Sequence, residues 1–249
     1  MSAVPSDART RALDGRVVLV VGATGGLGEA VSLACAAAGA SPVLLGRRVP
    51  RLNRVHDRVV AAGATPTLYP LDLEGATPDD FVELAARLDE AYGRLDGIVH
   101  AAAAFDGLTP LELTDPAAFA RTLHVNLTAR WWLTQACLPL LRRTDDAAVV
   151  FAVDDPARTR GAYWGGYGLA QAATASLVGM LQAELGEGPV RIHGLLPPPM
   201  RTPLRARAYV EAEDRIARVP GEVADACITL LSPAGAAQRG RLWSPGTGA

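Results

Sequence analysis

From Arg16 onward, short apolar runs alternate with segments of helix length, and this alternation constrains the fold more than any other feature of the chain. A parallel strand can be reached only by a crossover, and a crossover helix lands on a face of the sheet, so repeated strand–helix units build a parallel sheet covered on both sides. The runs predict strands over 17–21, 41–46, 66–70, 95–101, 147–153, 190–196 and 241–243. The segments between them predict helices over 26–38, 50–62, 78–91, 116–141, 165–186 and 221–231, with Gly39, Gly63 and Gly93 as stops and Pro78 as a start. No repeat or linker divides the chain, and 249 residues with 49% hydrophobic content can bury one continuous core. The reading is an α/β fold: a doubly wound, seven-stranded parallel sheet in a single domain over 15–249, preceded by a flexible arm at 1–14. The irregular stretch 197–220, from Pro197-Pro198-Pro199 to the break at Pro220-Gly221, is the predicted substrate loop.

In an open sheet of this kind ligands bind beyond the carboxyl ends of the strands. That rule gathers 22–28, 46–48, 72–73, 101–106, 154–164 and 197–205 around one crevice. The first of these segments, Gly22-Ala23-Thr24-Gly25-Gly26-Leu27-Gly28, joins a buried strand to an Ala-rich helix. Its glycines permit positive φ and close backbone approach, and a helix N-terminus offers unpaired N–H groups to a pyrophosphate. A purely structural turn is the bland alternative. At the end of the second strand, Leu44-Leu45-Gly46-Arg47-Arg48 carries no carboxylate for a ribose 2′-hydroxyl and two guanidiniums that fit a 2′-phosphate. The expected cofactor is therefore NADP(H), held by Gly22, Thr24, Gly26, Leu27, Gly28, Arg47 and Arg48. Asp72 and Leu73 would lie by the adenine, although a carboxylate capping a turn is as common.

Composition narrows the chemistry further. All 24 basic residues are arginine, so Schiff-base, pyridoxal and P-loop lysine chemistry are excluded. A formal net charge of −2 gives no footprint for nucleic acid or an anionic membrane. Cys35, Cys137 and Cys227 lack metal-ligand spacing and read as buried thiols of a reducing compartment. The opening residues lack a signal peptide's apolar stretch and no run is long enough to cross a bilayer, so a cytoplasmic protein is expected.

Several motifs stand in a recognisable order: the turn 22–28, Leu71-Asp72-Leu73, Leu95-Asp96-Gly97-Ile98-Val99-His100-Ala101-Ala102-Ala103, Val125-Asn126, Tyr167, and Pro197 followed by Thr202. Together they make residues 15–246 resemble the short-chain dehydrogenase/reductase family. The resemblance implies a Rossmann-like sheet, NAD(P)-dependent oxidation or reduction of alcohols and carbonyls, cofactor contacts at Ala101 and Thr202, and a homodimer or homotetramer built on helices 116–141 and 165–186. It also implies a catalytic set in which a Tyr exchanges the substrate proton, a Lys four residues later lowers its pKa, a Ser thirteen residues earlier polarises the carbonyl and an Asn completes a relay.

Asn126 and Tyr167 match that set, but Gln171 stands at the Lys position and Asp154 at the Ser position. With no lysine in the chain, no shifted register restores the pair. A phenol titrates ordinarily near pH 10, a neutral amide cannot lower that, and an ionised Asp154 beside it would raise it. Reduction, which uses the neutral phenol as an acid, suffers less than oxidation. Val21, Ala101, Ala103 and Pro198 also depart from the family pattern around the nicotinamide end.

Three functions compete on these residues. The first is an NADP(H)-dependent oxidoreductase of a carbonyl or alcohol with Tyr167 as proton donor. The second is a non-redox dehydratase, isomerase or cyclase using Asp154 as base and Tyr167 as acid. The third is a noncatalytic NADP(H)-binding protein. Asp154 and Asp155 before Pro156 could instead form a turn. His100, His193 and His124 read as structural, and Trp131 and Trp132 as packing or interface residues. Tyr163 and Trp164 divide evenly between lining the pocket and packing a helix entrance. Arg201, Arg205 and Arg207 would attract an acidic substrate or simply be solvated.

Overall fold

The computed structural model describes residues 11–209 and 216–246. The apolar runs form β1 (Val17–Val21), β2 (Ser41–Gly46), β3 (Thr67–Pro70), β4 (Gly97–His100), β5 (Ala147–Ala152), β6 (Val190–Leu195) and β7 (Leu242–Trp243). They pair in parallel in the order β3-β2-β1-β4-β5-β6-β7, so the chain reverses direction across the sheet between β1 and β4. The helices are α1 (Gly26–Ala37), α2 (Val49–Ala61), α3 (Pro78–Tyr92), α4 (Pro116–Leu123), α5 (Ala129–Leu141), α6 (Pro156–Thr159), α7 (Gly165–Leu185), α8 (Arg205–Ala208) and α9 (Pro220–Leu231). The central strands are apolar at successive positions because both faces are covered. One face packs Val21, Ile98 and Phe151 under Phe81, Leu133 and Val178, and the other packs Val18, Val20 and Val99 under Val31, Leu52 and Cys227. The predicted stops hold: Gly39, Gly63 and Gly93 all take positive φ. The carboxylate of Asp80 accepts the Thr77 N–H at the start of α3.

Two expectations need correction. The arm at 1–14 is not free throughout: Leu13 is fully buried beside α1, and its N–H donates to the Ala38 carbonyl at 2.9 Å. Residues 1–10 lie outside the described residues. The helix expected over 116–141 is divided by a π turn at His124–Thr128. There Nδ2 of Asn126 donates to the Thr122 carbonyl, four residues back, so a side chain enters the ladder and widens the turn.

At the amino ends of the central strands a partly buried ionic network ties the layers together. Asp146 accepts from Arg16 at 2.7 Å and from Arg191 at 2.7 Å, and Arg191 also reaches the Leu230 carbonyl and His193. Since Arg191 can only donate, Nε2 of His193 accepts and its Nδ1–H donates to the Gln238 carbonyl. Burial first, with the neighbouring Arg191 and Arg239 assisting, holds this imidazole neutral, its pKa pulled down to about 4. The three cysteines are buried, and burial pushes the Cys137 and Cys227 thiols up to about 12. Among the described residues no helix is long and apolar enough to cross a membrane.

Candidate active site

At the carboxyl ends of the strands lies a cavity of about 750 Å³. Its lining includes Gly22, Thr24, Gly26, Leu27, Arg47, Arg48, Asp72, Leu73 and Ala101 from the strand ends and Thr202 from the substrate loop. Gly22 has a φ of +86°, and a Cβ on it would sit 2.5 Å from the Ala102 nitrogen, so the turn closes only with glycine there. Gly28 is absent from the lining; a Cβ on it would meet the Gly22 carbonyl oxygen at 2.1 Å, which makes it the residue that lets α1 lie against β1. Thr202 is brought to the turn by contact: a Cβ on Gly26 would lie 2.9 Å from its Cγ2.

The electrostatics of this half favour a polyanion. Helix α1 begins after Gly25 with no side-chain cap, so the N–H groups of its first turn are left for solvent or a ligand. Arg47 and Arg48 are exposed at the mouth, and among the described residues neither pairs with a carboxylate. Asp72 lines the same wall while its Oδ1 accepts the Glu74 N–H at 3.2 Å, so it both caps a turn and faces the cavity.

At the other end three of the four predicted catalytic residues come together. The Tyr167 hydroxyl donates to Oδ2 of Asp154 at 3.3 Å, and Oε1 of the buried Gln171 accepts the Asp154 N–H at 2.9 Å. Asn126 does not join them. It is fully buried outside the lining, with its amide spent on Ala104 N–H, the Ala104 carbonyl and the Thr122 carbonyl. Its work is to clamp the π turn to the loop after β4. Asp154 and Asp155 have separate roles: Asp155 caps α6 through the Ala157 N–H, whereas Asp154 faces the cavity and pairs with Arg158. Of the next pair, Trp164 lines the cavity and Tyr163 is exposed with a φ of +74°.

The sequence reading missed an aromatic wall and two cations. Phe105 stacks on Trp164 and tilts against Tyr167, with ring centroids 5.3 and 4.9 Å apart, and Tyr209 joins from beyond α8. Arg207, one of the loop arginines, donates to the Phe105 carbonyl at 2.5 Å and so pins α8 over this wall; Arg205 stacks on the Tyr209 ring. The cations are Arg158 and Arg130, both in the lining. Arg158 was legible as a residue four beyond Asp154 on a short helix; Arg130 carried no sequence signal. The phenol of Tyr167 is held well above the ordinary range, first by burial and then by the Asp154 charge, against the opposing pull of Arg130 and Arg158. It is therefore a neutral acid at physiological pH.

A family model described as short chain dehydrogenase matches residues 16–213. The chain is 30% identical over 220 residues to YciK, an uncharacterised oxidoreductase of Escherichia coli, covering 88% of this chain and 87% of that one. The solved short chain dehydrogenase of Salmonella enterica serovar Typhi superposes with a TM-score of 0.91 at 29% identity, over 97% of this chain and 99% of that one. A protein of Escherichia coli CFT073, solved in complex with NADPH, gives 0.90 at 30% identity over 94% and 98% of the two chains.

Proposed function

The chain belongs to the short-chain dehydrogenase family of oxidoreductases, and on that premise we propose that it is an NADPH-dependent carbonyl reductase with Tyr167 as its proton donor. One observation carries the proposal: a single cavity joins the glycine turn and the two exposed arginines at one end to a buried, neutral phenol at the other. The uncapped N-terminus of α1 fits a pyrophosphate, and Arg47 and Arg48 fit a 2′-phosphate. When bound, the cofactor supplies a hydride to the carbonyl carbon.

The chain's own residues manage the proton. Tyr167 gives its proton to the carbonyl oxygen and is left as a phenolate, while Phe105 and Trp164 keep bulk water from the ring. Asp154 points the hydroxyl and keeps it protonated until substrate arrives, and Gln171 fixes Asp154 through its backbone N–H. The raised pKa of the phenol disfavours oxidation, which would need the phenolate at rest, more than reduction, which starts from the phenol. A non-redox role for Asp154 as general base is disfavoured, since its carboxylate is already occupied by Arg158, the Asp155 N–H and Tyr167. We further propose association into dimers or tetramers through the helices of 116–141 and 165–186, which present Trp131, Leu169 and Met180 to solvent.

The test is NADPH and NADH binding by fluorescence, with nicotinamide oxidation followed over a panel of aldehydes and ketones. NADPH is expected to bind about tenfold or more tightly than NADH, and Arg47→Glu to erase the difference. Tyr167→Phe is expected to lower kcat by about a hundredfold or more with NADPH affinity unchanged. Equal affinity for the two nucleotides, or turnover indifferent to Tyr167→Phe, overturns the proposal.

A further inference from the structure

A buried guanidinium lines the same cavity as the proposed proton donor. Arg130, on the first turn of α5, is 2% exposed, and its two terminal nitrogens donate to the carbonyls of Ala152 at 3.0 Å and Ala102 at 2.5 Å. Its Nε has no hydrogen-bond partner, and among the described residues no carboxylate pairs with it. Burying an uncompensated cation is expensive, and proteins normally answer it with an anion. At rest the site's carboxylate, Asp154, is paired with Arg158 and not with Arg130. A second anion forms during the reaction, because Arg130 and Tyr167 line the same cavity and Tyr167 becomes a phenolate on giving up its proton.

We propose that Arg130 is the cation that stabilises the Tyr167 phenolate, taking from α5 the part that an ammonium on α7 would otherwise play. This rests on the reading of Tyr167 as proton donor. The groups facing the phenol are Asp154 and Arg158 from the β5–α6 segment and Arg130 from α5; Gln171 contributes no charge. Arg158 is already spent on Asp154, which leaves Arg130 as the uncommitted positive charge. Burial pulls the Arg130 pKa down only to about 10, so it stays protonated at neutral pH and attracts a developing phenolate. Its hydrogen bonds to Ala102 and Ala152 hold the ends of β4 and β5, so the charge is fixed before the proton moves and needs no reorganisation. Arg130 is thus a positioning and charge-balancing residue: it acts on substrate through Tyr167.

Two substitutions separate charge from strapping. Arg130→Lys keeps the cation with fewer donors, and Arg130→Gln keeps an amide donor without the cation. If the charge is what matters, Arg130→Gln lowers kcat about a hundredfold with NADPH affinity and substrate KM little changed, and Arg130→Lys restores much of the loss. A second measurement needs neither cofactor nor substrate: in an Asp154→Ser background, tyrosinate absorbance is titrated against a Tyr167→Phe blank. Arg130→Gln is expected to move the Tyr167 titration to higher pH, and Arg130→Lys to leave it near its position with Arg130. Equal kcat for the Lys and Gln variants, or a Tyr167 titration indifferent to both, overturns the proposal. If Arg130→Gln fails to fold, Arg130→Met, which also removes the charge, is titrated in its place. If the protein reduces no carbonyl but the titration shifts as stated, the proposed activity fails while the pairing of Arg130 with Tyr167 stands.

Discussion

Replacing Asp154 by Ser should make Tyr167 a stronger acid and improve the direction of reaction that the native site disfavours. The carboxylate oxygen lies 3.3 Å from the phenol oxygen. At an effective dielectric of about 20, two unit charges at that distance repel by about 5 kcal/mol. Arg158 on the other carboxylate oxygen offsets much of this. If about a third survives, roughly 1.5 kcal/mol, the phenol becomes about tenfold more acidic on losing Asp154, since 1.4 kcal/mol is a factor of ten. The sign follows from which form each direction uses. Oxidation of an alcohol needs the phenolate, so at fixed pH below the phenol's pKa its rate should rise about tenfold, with the alkaline limb of the profile moving to lower pH. Reduction needs the phenol, already fully present, and gains only from its greater acid strength. The assay is initial-rate kinetics in both directions across the pH range, with NADPH affinity measured alongside to show that binding is intact. An alkaline limb for oxidation that stays in place, or moves to higher pH, would refute the assignment of Asp154 as the charge that keeps Tyr167 protonated.

Asp146→Ala should destabilise the fold by about 3–5 kcal/mol, because it strands the buried Arg191 without its carboxylate; chemical denaturation at neutral pH measures this. Burial raises the Asp146 pKa, but Arg191 and Arg16 outweigh it and hold the carboxyl below its ordinary range, so its contribution is complete above the unfolded carboxylate pKa and fades as pH falls. The deficit of the variant relative to the native chain should therefore shrink in acid. Gly22→Ala should abolish measurable NADPH binding and lower Tm, since the backbone there is left-handed and the new methyl group would meet the Ala102 nitrogen; retained binding in a variant of native stability would show that the turn can move aside.

Whatever depended on local pattern was legible in the sequence. Fully apolar strands such as Val17–Val21 announce a two-sided sheet, and the strand, glycine turn and helix of 17–37 announce where it opens. Tyr167, Asp154 and Gln171 follow from the family resemblance, position by position along one segment, and the fold closes that segment on itself through α6 and α7. What could not be read was decided by contacts between distant elements. Asn126 looks catalytic by position, yet its side chain is consumed by a loop twenty-two residues away. Arg130 is one arginine among twenty-four, and only the meeting of β4, β5 and α5 turns it from a solvated charge into a buried one. Phe105 and Tyr209 likewise meet Trp164 only because the loops after β4 and β6 converge.

These contacts alter what restoring the family's residues would do. From sequence alone, Gln171→Lys with Asp154→Ser should rebuild an ordinary site and raise carbonyl reduction. The charge balance of the folded site says otherwise. At rest it holds Arg130 and Arg158 against Asp154, a net of one positive charge, which is what a single lysine beside a neutral serine would supply. Introducing Lys and removing Asp154 leaves three cations and no carboxylate around a phenol that is 5% exposed. Like charges in a water-poor site either lose a proton or loosen the structure. The double variant should therefore be less stable than the native chain, with the new lysine's pKa depressed and little gain in rate. Adding Arg130→Val and Arg158→Ala returns the net charge to one, and the quadruple variant should reduce carbonyls faster than the double. A double variant of native stability and high activity would show that Arg130 and Arg158 contribute no effective charge at Tyr167, and that the missing lysine is a simple loss.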